Sequence, residues 1–534
     1  MAKRVDSLAQ QGSVRETFRH TAIYSGANVL GRMISFFMLP FYAHILRGLG
    51  YGVIGMIDAA LTFLSSLFGY QLQNALVRIY HEQTDEAIRR KVIPTGITLV
   101  AGLTPVILVP ACLLSKPLSN LLLGSSEYWY LFCLAIGSFY CDMIFNAAQT
   151  VLVIQRRSIT YSLIGLIRLI TGISLSVLFI VILRWDLPGY FLANLATAMI
   201  SAAISISVAT RIGGFGFSRE VARSIIGFQA PLVPGSLVNF FSRQIERVLV
   251  RYKIDLTTVG ILEMAYKFPV LIAILIIMPF MKSWETKRTE IAEHPDAPER
   301  IGKMFTYFLY MVVLGGLLMA VDIATVLKLL TPEEFWIGYR PARVEIMRIV
   351  ANACFLYLQF GLYYRKRTGL IARIQMVTSV IKIGISYFMI ATWGIYGAAW
   401  SGFLVTAASA VWGYILAQRE YPLRIEWRKI LLILVAAAGV FMVVANIDTA
   451  TFAAWTATPA AKLQAWFAGQ QDSWLGTVKD GKVLALFVEK TDLVFDLLLR
   501  TLMGLAFLAI LPWVYPDSLK TLRRRLTTLG LPRG

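Results

Sequence analysis

Residues 230–277 read APLVPGSLVNFFSRQIERVLVRYKIDLTTVGILEMAYKFPVLIAILII: two membrane-length stretches joined by a short turn at Asp255–Val259. In the first, Asn239, Arg243, Arg247 and Arg251 recur every four residues with Glu246 beside them. That recurrence puts them on one face of a helix. In the second, Glu263 and Lys267 are spaced i,i+4 in the favourable order. Each ionisable group at bilayer depth costs roughly 2.5–3.5 kcal/mol on insertion scales, so such groups face a cavity or a partner. Two readings stand: a charged stripe lining a hydrated cavity, or structural pairs in which Glu246 and Glu263 neutralise Arg243 and Lys267.

Both readings need a membrane, and composition supplies one. The chain has 534 residues, 57% hydrophobic and 15% charged, with a mean hydropathy of +0.65, which excludes a set of soluble domains. Apolar runs recur from Thr21 to Tyr515, each long enough to cross a hydrocarbon core of ~30 Å. The expected fold class is therefore all-α and polytopic. We place about fourteen transmembrane helices, at 20–44, 52–77, 92–114, 129–153, 159–183, 190–210, 229–252, 259–281, 303–329, 342–363, 370–392, 396–417, 430–447 and 493–514.

Charge then orients them. A net charge of +20 would point to nucleic acid in a soluble protein, but here it follows the bias of Lys and Arg toward cytoplasmic loops. Every loop on the side of the N-terminus is basic, including RRK at 89–91, RKR at 365–367 and RRR at 523–525, so both termini are expected in the cytoplasm. The first apolar stretch is too long for a cleavable signal. Cys112, Cys133, Cys141 and Cys354 sit in apolar runs without metal spacing and imply neither a disulfide framework nor zinc.

One internal offset, 208 residues, relates the two halves. Gly52-Val-Ile-Gly-Met56 falls on Gly260-Ile-Leu-Glu-Met264, Arg157 falls on Arg365, and Leu187-Pro-Gly189 falls on Ile395-Tyr-Gly397. Six spans per half is even, so the halves are parallel repeats, and the substrate site of such folds lies at their interface near the midplane. The expected organisation is a cytoplasmic segment (1–19), two six-helix bundles (20–213 and 226–418), an extra helix pair (429–514) and a basic tail (515–534). The outside loop of that pair, 448–490, carries Trp455, Trp466 and Trp474 and reads as an interfacial amphipathic piece or a flexible loop.

Polar stripes recur on other spans: Asn28, Arg32 and Ser35; Gln71, Asn74 and Arg78, with Asp58 toward the outer end; Asp142, Asn146 and Gln149; Glu345, Arg348 and Asn352; and a lone Lys382. Arg78 and Arg251 are close enough to a surface to snorkel. Asp496 and Arg500 read as a structural pair, and Arg168 as a secondary candidate. There is no GxxxxGK[ST] loop, HExxH or GxSxG elbow, and no Cys/His cluster, so no enzyme, cofactor or metal is expected.

The first hairpin, NVLGRMISFFMLPFYAHILRGLGYGVIGMIDAALTFLSS, the second-half hairpin with ERVLVRYKIDLTTVGILEMAYKF, and IATWGIYGAAWSGFLV together resemble the multidrug/oligosaccharidyl-lipid/polysaccharide exporter superfamily, in its polysaccharide-flippase (Wzx-type) branch. The resemblance covers about residues 18–420. It departs at Ala391 and Trp393, where that family often has Pro and Tyr, and at the 448–490 insertion. It implies a flippase that carries a polyprenyl-diphosphate-linked oligosaccharide across the bacterial inner membrane by alternating access. Its partners would be that glycan, membrane lipids and other polysaccharide-assembly proteins, without nucleic acid. In related lipid-linked precursor flippases, basic residues on the first, second and eighth helices handle the diphosphate, and Arg32, Arg78 and Lys267 occupy comparable helices here. Expected substrate-binding residues are Arg32, Arg78, Asn239, Arg243, Arg247, Tyr266, Lys267, Arg348 and Lys382; Asp58, Asp142, Glu263 and Glu345 are candidates for proton or sodium coupling. A drug:cation antiporter of the same superfamily is the alternative, although it needs a more acidic cavity. A membrane glycosyltransferase or polymerase is the third reading.

Overall fold

A computed structural model describes residues 38–67, 72–214, 216–446 and 491–510. Segments 1–19, 448–490 and 515–534, most of the first expected span, and part of the last lie outside them. The described residues are all-helical, and twelve of their helices are long and apolar enough to cross a membrane. The individual α-helices of five residues or more are, in order, α1 (Leu39–Leu67), α2 (Leu72–Glu82), α3 (Glu86–Leu113), α4 (Ser115–Leu123), α5 (Trp129–Ile154), α6 (Ser158–Ser176), α7 (Asp186–Gly213), α8 (Arg219–Gln229), α9 (Val233–Lys253), α10 (Leu256–Lys267), α11 (Met278–Ala292), α12 (Ala297–Leu330), α13 (Tyr339–Leu358), α14 (Phe360–Tyr364), α15 (Thr368–Trp393), α16 (Ile395–Glu420), α17 (Trp427–Asn446) and α18 (Thr491–Gly504), some of which run together into one span. Contacts divide the described residues into two units, those up to 263 with 386–394, and 264–385 with those from 395 onward.

In the first unit α1 is two helices merged across Arg47, whose φ of 57° breaks the helix where the sequence places a turn between spans. Helix α3 carries Pro94, Pro105 and Pro110, each of which removes an amide donor. At bilayer depth a carbonyl so released must find another donor. The Tyr140 hydroxyl on α5 donates to the Ala101 carbonyl, four residues before Pro105, at 3.0 Å. Helices α2 and α8 are short and amphipathic, and Leu76, Ile79, Val221 and Ile225 bury their apolar faces against Val92 of α3.

Glycines let backbones of this unit approach closely. A Cβ on Gly52 of α1 would collide with the Leu256 carbonyl oxygen of α10, and one on Gly260 would collide with the Gly48 carbonyl oxygen. Gly55 lies against Glu263, whose Cγ would stand 2.8 Å from an added Cβ. The segments paired by the 208-residue repeat therefore pack on each other. The repeat also shifts along the chain: the left-handed turn residues are Arg156 and Lys366 (φ 55° and 57°), two positions further apart than the hairpin offset.

The second unit is built on an aromatic core. Trp284 of α11 stacks on Tyr357 of α13 at 4.8 Å, Phe280 stacks on Phe308 at 4.3 Å, and the buried Tyr357 hydroxyl donates to the Ile301 carbonyl at 2.9 Å. Helix α18 is tied in by a buried polar network. Arg500 Nε donates to Asp496 at 2.8 Å, Thr325 of α12 donates to Asp496 at 2.7 Å, and Thr501 donates to Asp322 of α12 at 2.8 Å. The Asp496–Arg500 pair is thus an internal brace. Asp322 was not singled out in the sequence, although it stands alone in the apolar run LLMAVDIATV.

Candidate functional site

Helix α9 distributes its stripe among different tasks. Asn239 and Arg243 are exposed midway along it, and Arg243 has no ion-pair partner among the described residues. One turn on, Arg247 is mostly buried: its guanidinium donates to Gln244 and grips the Glu263 carboxylate of α10, with one Nη at 3.0 Å from Oε2. Arg251, expected to snorkel, instead donates to the Leu122 and Leu123 carbonyls at 3.1 and 2.8 Å, while the Tyr252 hydroxyl donates to Leu121 at 2.9 Å. These are the carbonyls that the end of α4 leaves without helical amides, so Arg251 caps that helix. Glu246 is buried away from the exposed residues.

A second constellation lies wholly within the first unit. A cavity of about 670 Å³ is lined by Asp142, Asn146 and Gln149 of α5, Arg168 of α6, and Tyr190 and Asn194 of α7. The Asp142 carboxylate accepts from Arg168 at 2.7 Å, and the Arg168 guanidinium lies 4.5 Å from the Phe145 ring centre. The fourth-span stripe therefore lines one wall, and Arg168, ranked as secondary in sequence, is its counter-charge. Tyr190, Asn194 and Thr197 were missed, although their i, i+4, i+7 spacing is the same signal in uncharged residues. Amides, hydroxyls and one neutralised ion pair make a chamber suited to a hydrated or polyhydroxylated ligand.

In the second unit, Arg348 donates twice to buried Glu345, at 2.5 and 2.6 Å, and its guanidinium lies 5.5 Å from the Tyr266 ring centre. Three expected residues thus come together there. Lys267 is exposed, whereas Lys382 is buried in α15 at 4% exposure. A separate groove of about 830 Å³ runs between α12, α13, α16 and α17. Its wall is apolar from Trp427 and Phe305 to Phe441, where Arg340 and Arg343 stand at its end.

The other expected residues are scattered. Arg78 is exposed at the end of α2, paired with Glu82 at 2.6 Å and lying over the Phe228 ring, which fits a surface position. Asp58 is exposed on α1. Arg32, with Asn28, Ser35 and Gln71, lies outside the described residues. Among the described residues no cluster of metal-ligating side chains occurs.

A family model described as polysaccharide biosynthesis protein matches residues 18–284, half of the chain. The fold is similar to that of the solved structure "Lipid II flippase MurJ, inward closed conformation", with a TM-score of 0.66, 13% identity, and coverage of 92% of this chain and 98% of that one. It is also similar to an inward-facing multidrug resistance MATE family transporter of the MOP superfamily (TM-score 0.55, 15% identity, coverage 74% and 94%). The outward-facing structure of such a transporter gives 0.52 at 14% identity, with coverage of 75% and 93%. No curated protein matches the chain.

Proposed function

The chain belongs to the polysaccharide biosynthesis protein family, and from that premise we propose that it flips a polyprenyl-diphosphate-linked oligosaccharide across the bacterial inner membrane, with both termini in the cytoplasm. The work is transport by alternating access, in which a site is opened to one face and then the other.

The observation that carries this reading is Arg243. It stands at the middle of α9, within a stretch long and apolar enough to cross a membrane, exposed and without an ion-pair partner among the described residues. A guanidinium so placed is not left against lipid, so it borders water and offers a planar fork of donors to an anion. A diphosphate is such an anion, and bidentate contact with arginine is the geometry it prefers. Asn239, one turn away, would hydrogen-bond sugar hydroxyls. The groove of the second unit supports a lipid tail: it is apolar along its wall and carries two cations only at one end. An isoprenoid chain would find there the environment it has in the bilayer.

Coupling to protons or sodium is a narrower matter. Asp142, Glu263 and Glu345 are each held by an arginine, so an arriving cation would have to compete with Arg168, Arg247 or Arg348. The test is reconstitution into vesicles loaded with a lipid-linked oligosaccharide and scored for its appearance in the opposite leaflet. Accelerated appearance that falls with Arg243→Gln is expected. Efflux of free cationic compounds without movement of the lipid-linked glycan would overturn the reading in favour of an antiporter.

A further inference from the structure

Two of the four cysteines meet. Cys112 is in the last turn of α3, Cys133 in the second turn of α5, and the Cys112 thiol donates to Cys133 Sγ at 2.8 Å. The Cys133 thiol in turn points at the Cys112 carbonyl oxygen, 3.8 Å away. Just past the end of α3, the Lys116 ammonium of α4 lies over the ring of Trp129, one turn before Cys133 on α5, at 5.5 Å. The start of α5 is therefore met twice, by the end of α3 and by the first turn of α4, and the thiol contact is part of a seam. Both thiols are only half-buried. Cys141 and Cys354 differ: each packs among apolar neighbours of a core cluster.

We propose that Cys112 and Cys133 form a disulfide in the cell, made by exchange with an external disulfide donor. One protein thiolate attacks the donor's disulfide and expels one donor thiol, leaving a mixed disulfide. The second protein thiolate attacks its own partner's sulfur and expels the other donor thiol. Two protein thiols are oxidised, one donor disulfide is reduced to two thiols, and the two thiol protons pass to the departing sulfurs. The compartment rests on the orientation proposed above, which places these helix ends outside, where disulfides persist.

The bond would close a ring around α4. That helix supplies the Leu121, Leu122 and Leu123 carbonyls that hold Tyr252 and Arg251 at the end of α9. Closing the ring narrows the conformations open to the socket before α9 docks in it.

Thiols are counted on full-length protein from cells quenched in acid, denatured and treated with a maleimide. Two adducts are expected without reductant and four with it, together with a peptide pair joining 112 to 133. Cys112→Ser is expected to give three adducts under both conditions, because Cys133 is released. Four adducts without reductant, or a Cys112→Ser protein that still hides two thiols, overturns the pair. A membrane-impermeant reductant on intact cells is expected to open the bond. A bond that opens only after lysis upholds the pair and overturns the orientation, while movement of the lipid-linked glycan is scored separately.

Discussion

The Glu263 carboxylate holds the Arg247 guanidinium across the α9–α10 turn, which withdraws Arg247 from the cations available to a substrate and leaves Arg243 on the same helix facing outward. Two arginines one turn apart therefore make opposite predictions. Removing one partner of a buried pair costs roughly 3–5 kcal/mol, because the other charge is stranded. Arg247→Gln is expected to lower the amount of folded protein in the membrane, and the double variant with Glu263→Gln to recover much of it. Arg243→Gln is expected to keep normal abundance and lose transport, with Arg243→Lys between them, since lysine keeps charge without the fork. Immunoblots beside the vesicle assay separate the two. Wild-type transport by Arg243→Gln at normal abundance would remove it from the site.

The glycine contacts predict a steric result. Gly52→Ala and Gly260→Ala each drive a methyl group into a carbonyl oxygen of the facing segment, so both are expected to deplete folded protein. Gly165→Ala, where a Cβ meets nothing within 4 Å, is expected to be silent. Fluorescence-detected gel filtration of the three variants is sufficient, and equal yields would contradict the close approach.

The apolar groove predicts a substrate effect. Ala438 lines it, and Ala438→Phe is expected to fill part of it with abundance kept. If the groove holds an isoprenoid chain, transport falls for long-chain lipid carriers and much less for a short-chain analogue. Equal loss for both chain lengths would exclude the groove from tail binding.

The buried brace predicts a stability effect with no transport signature of its own. Arg500→Ala leaves the buried Asp496 carboxylate with Thr325 as its side-chain donor among the described residues, at a cost of roughly 3–5 kcal/mol. Loss of yield is expected, and transport per molecule is expected to be unchanged in whatever protein survives. A fall in transport per folded molecule would make Arg500 more than a brace.

Topology is open to cysteine labelling in a background lacking the four native cysteines. Ser158 is buried, so the neighbouring exposed Arg157 is the better position. Arg157→Cys is expected to react only from the cytoplasm and Ser126→Cys only from outside. Reaction of both from one side would break the fourteen-span arrangement.

The sequence made the helices legible because their apolar lengths and the charges of their loops are local properties. It also placed Asn239, Arg243, Arg247 and Arg251 on one face, since periodicity alone sets angle. It did not reveal that Arg251 ends on Leu122 and Leu123, far away along the chain, or that Arg247 takes Glu263. Both depend on which helix lies opposite, which no local spacing encodes. The polar cavity was half legible for a related reason. Asp142 announced itself by its charge, whereas Tyr190 and Asn194 carry the same helical rhythm in residues that an apolar span tolerates without comment.

The interlock of Gly52 with Leu256 and of Gly260 with Gly48 has a mechanical meaning. Sliding either hairpin by one residue along the other would bring Val53 or Ile261, with a full side chain, into a gap that admits only hydrogen. Translation is opposed, as by a detent, whereas rotation about the line of contact leaves the glycines facing the same carbonyl oxygens. Movement of α1 against the first turns of α10 is therefore expected to be a swivel and not a slide, with these glycines close to its axis.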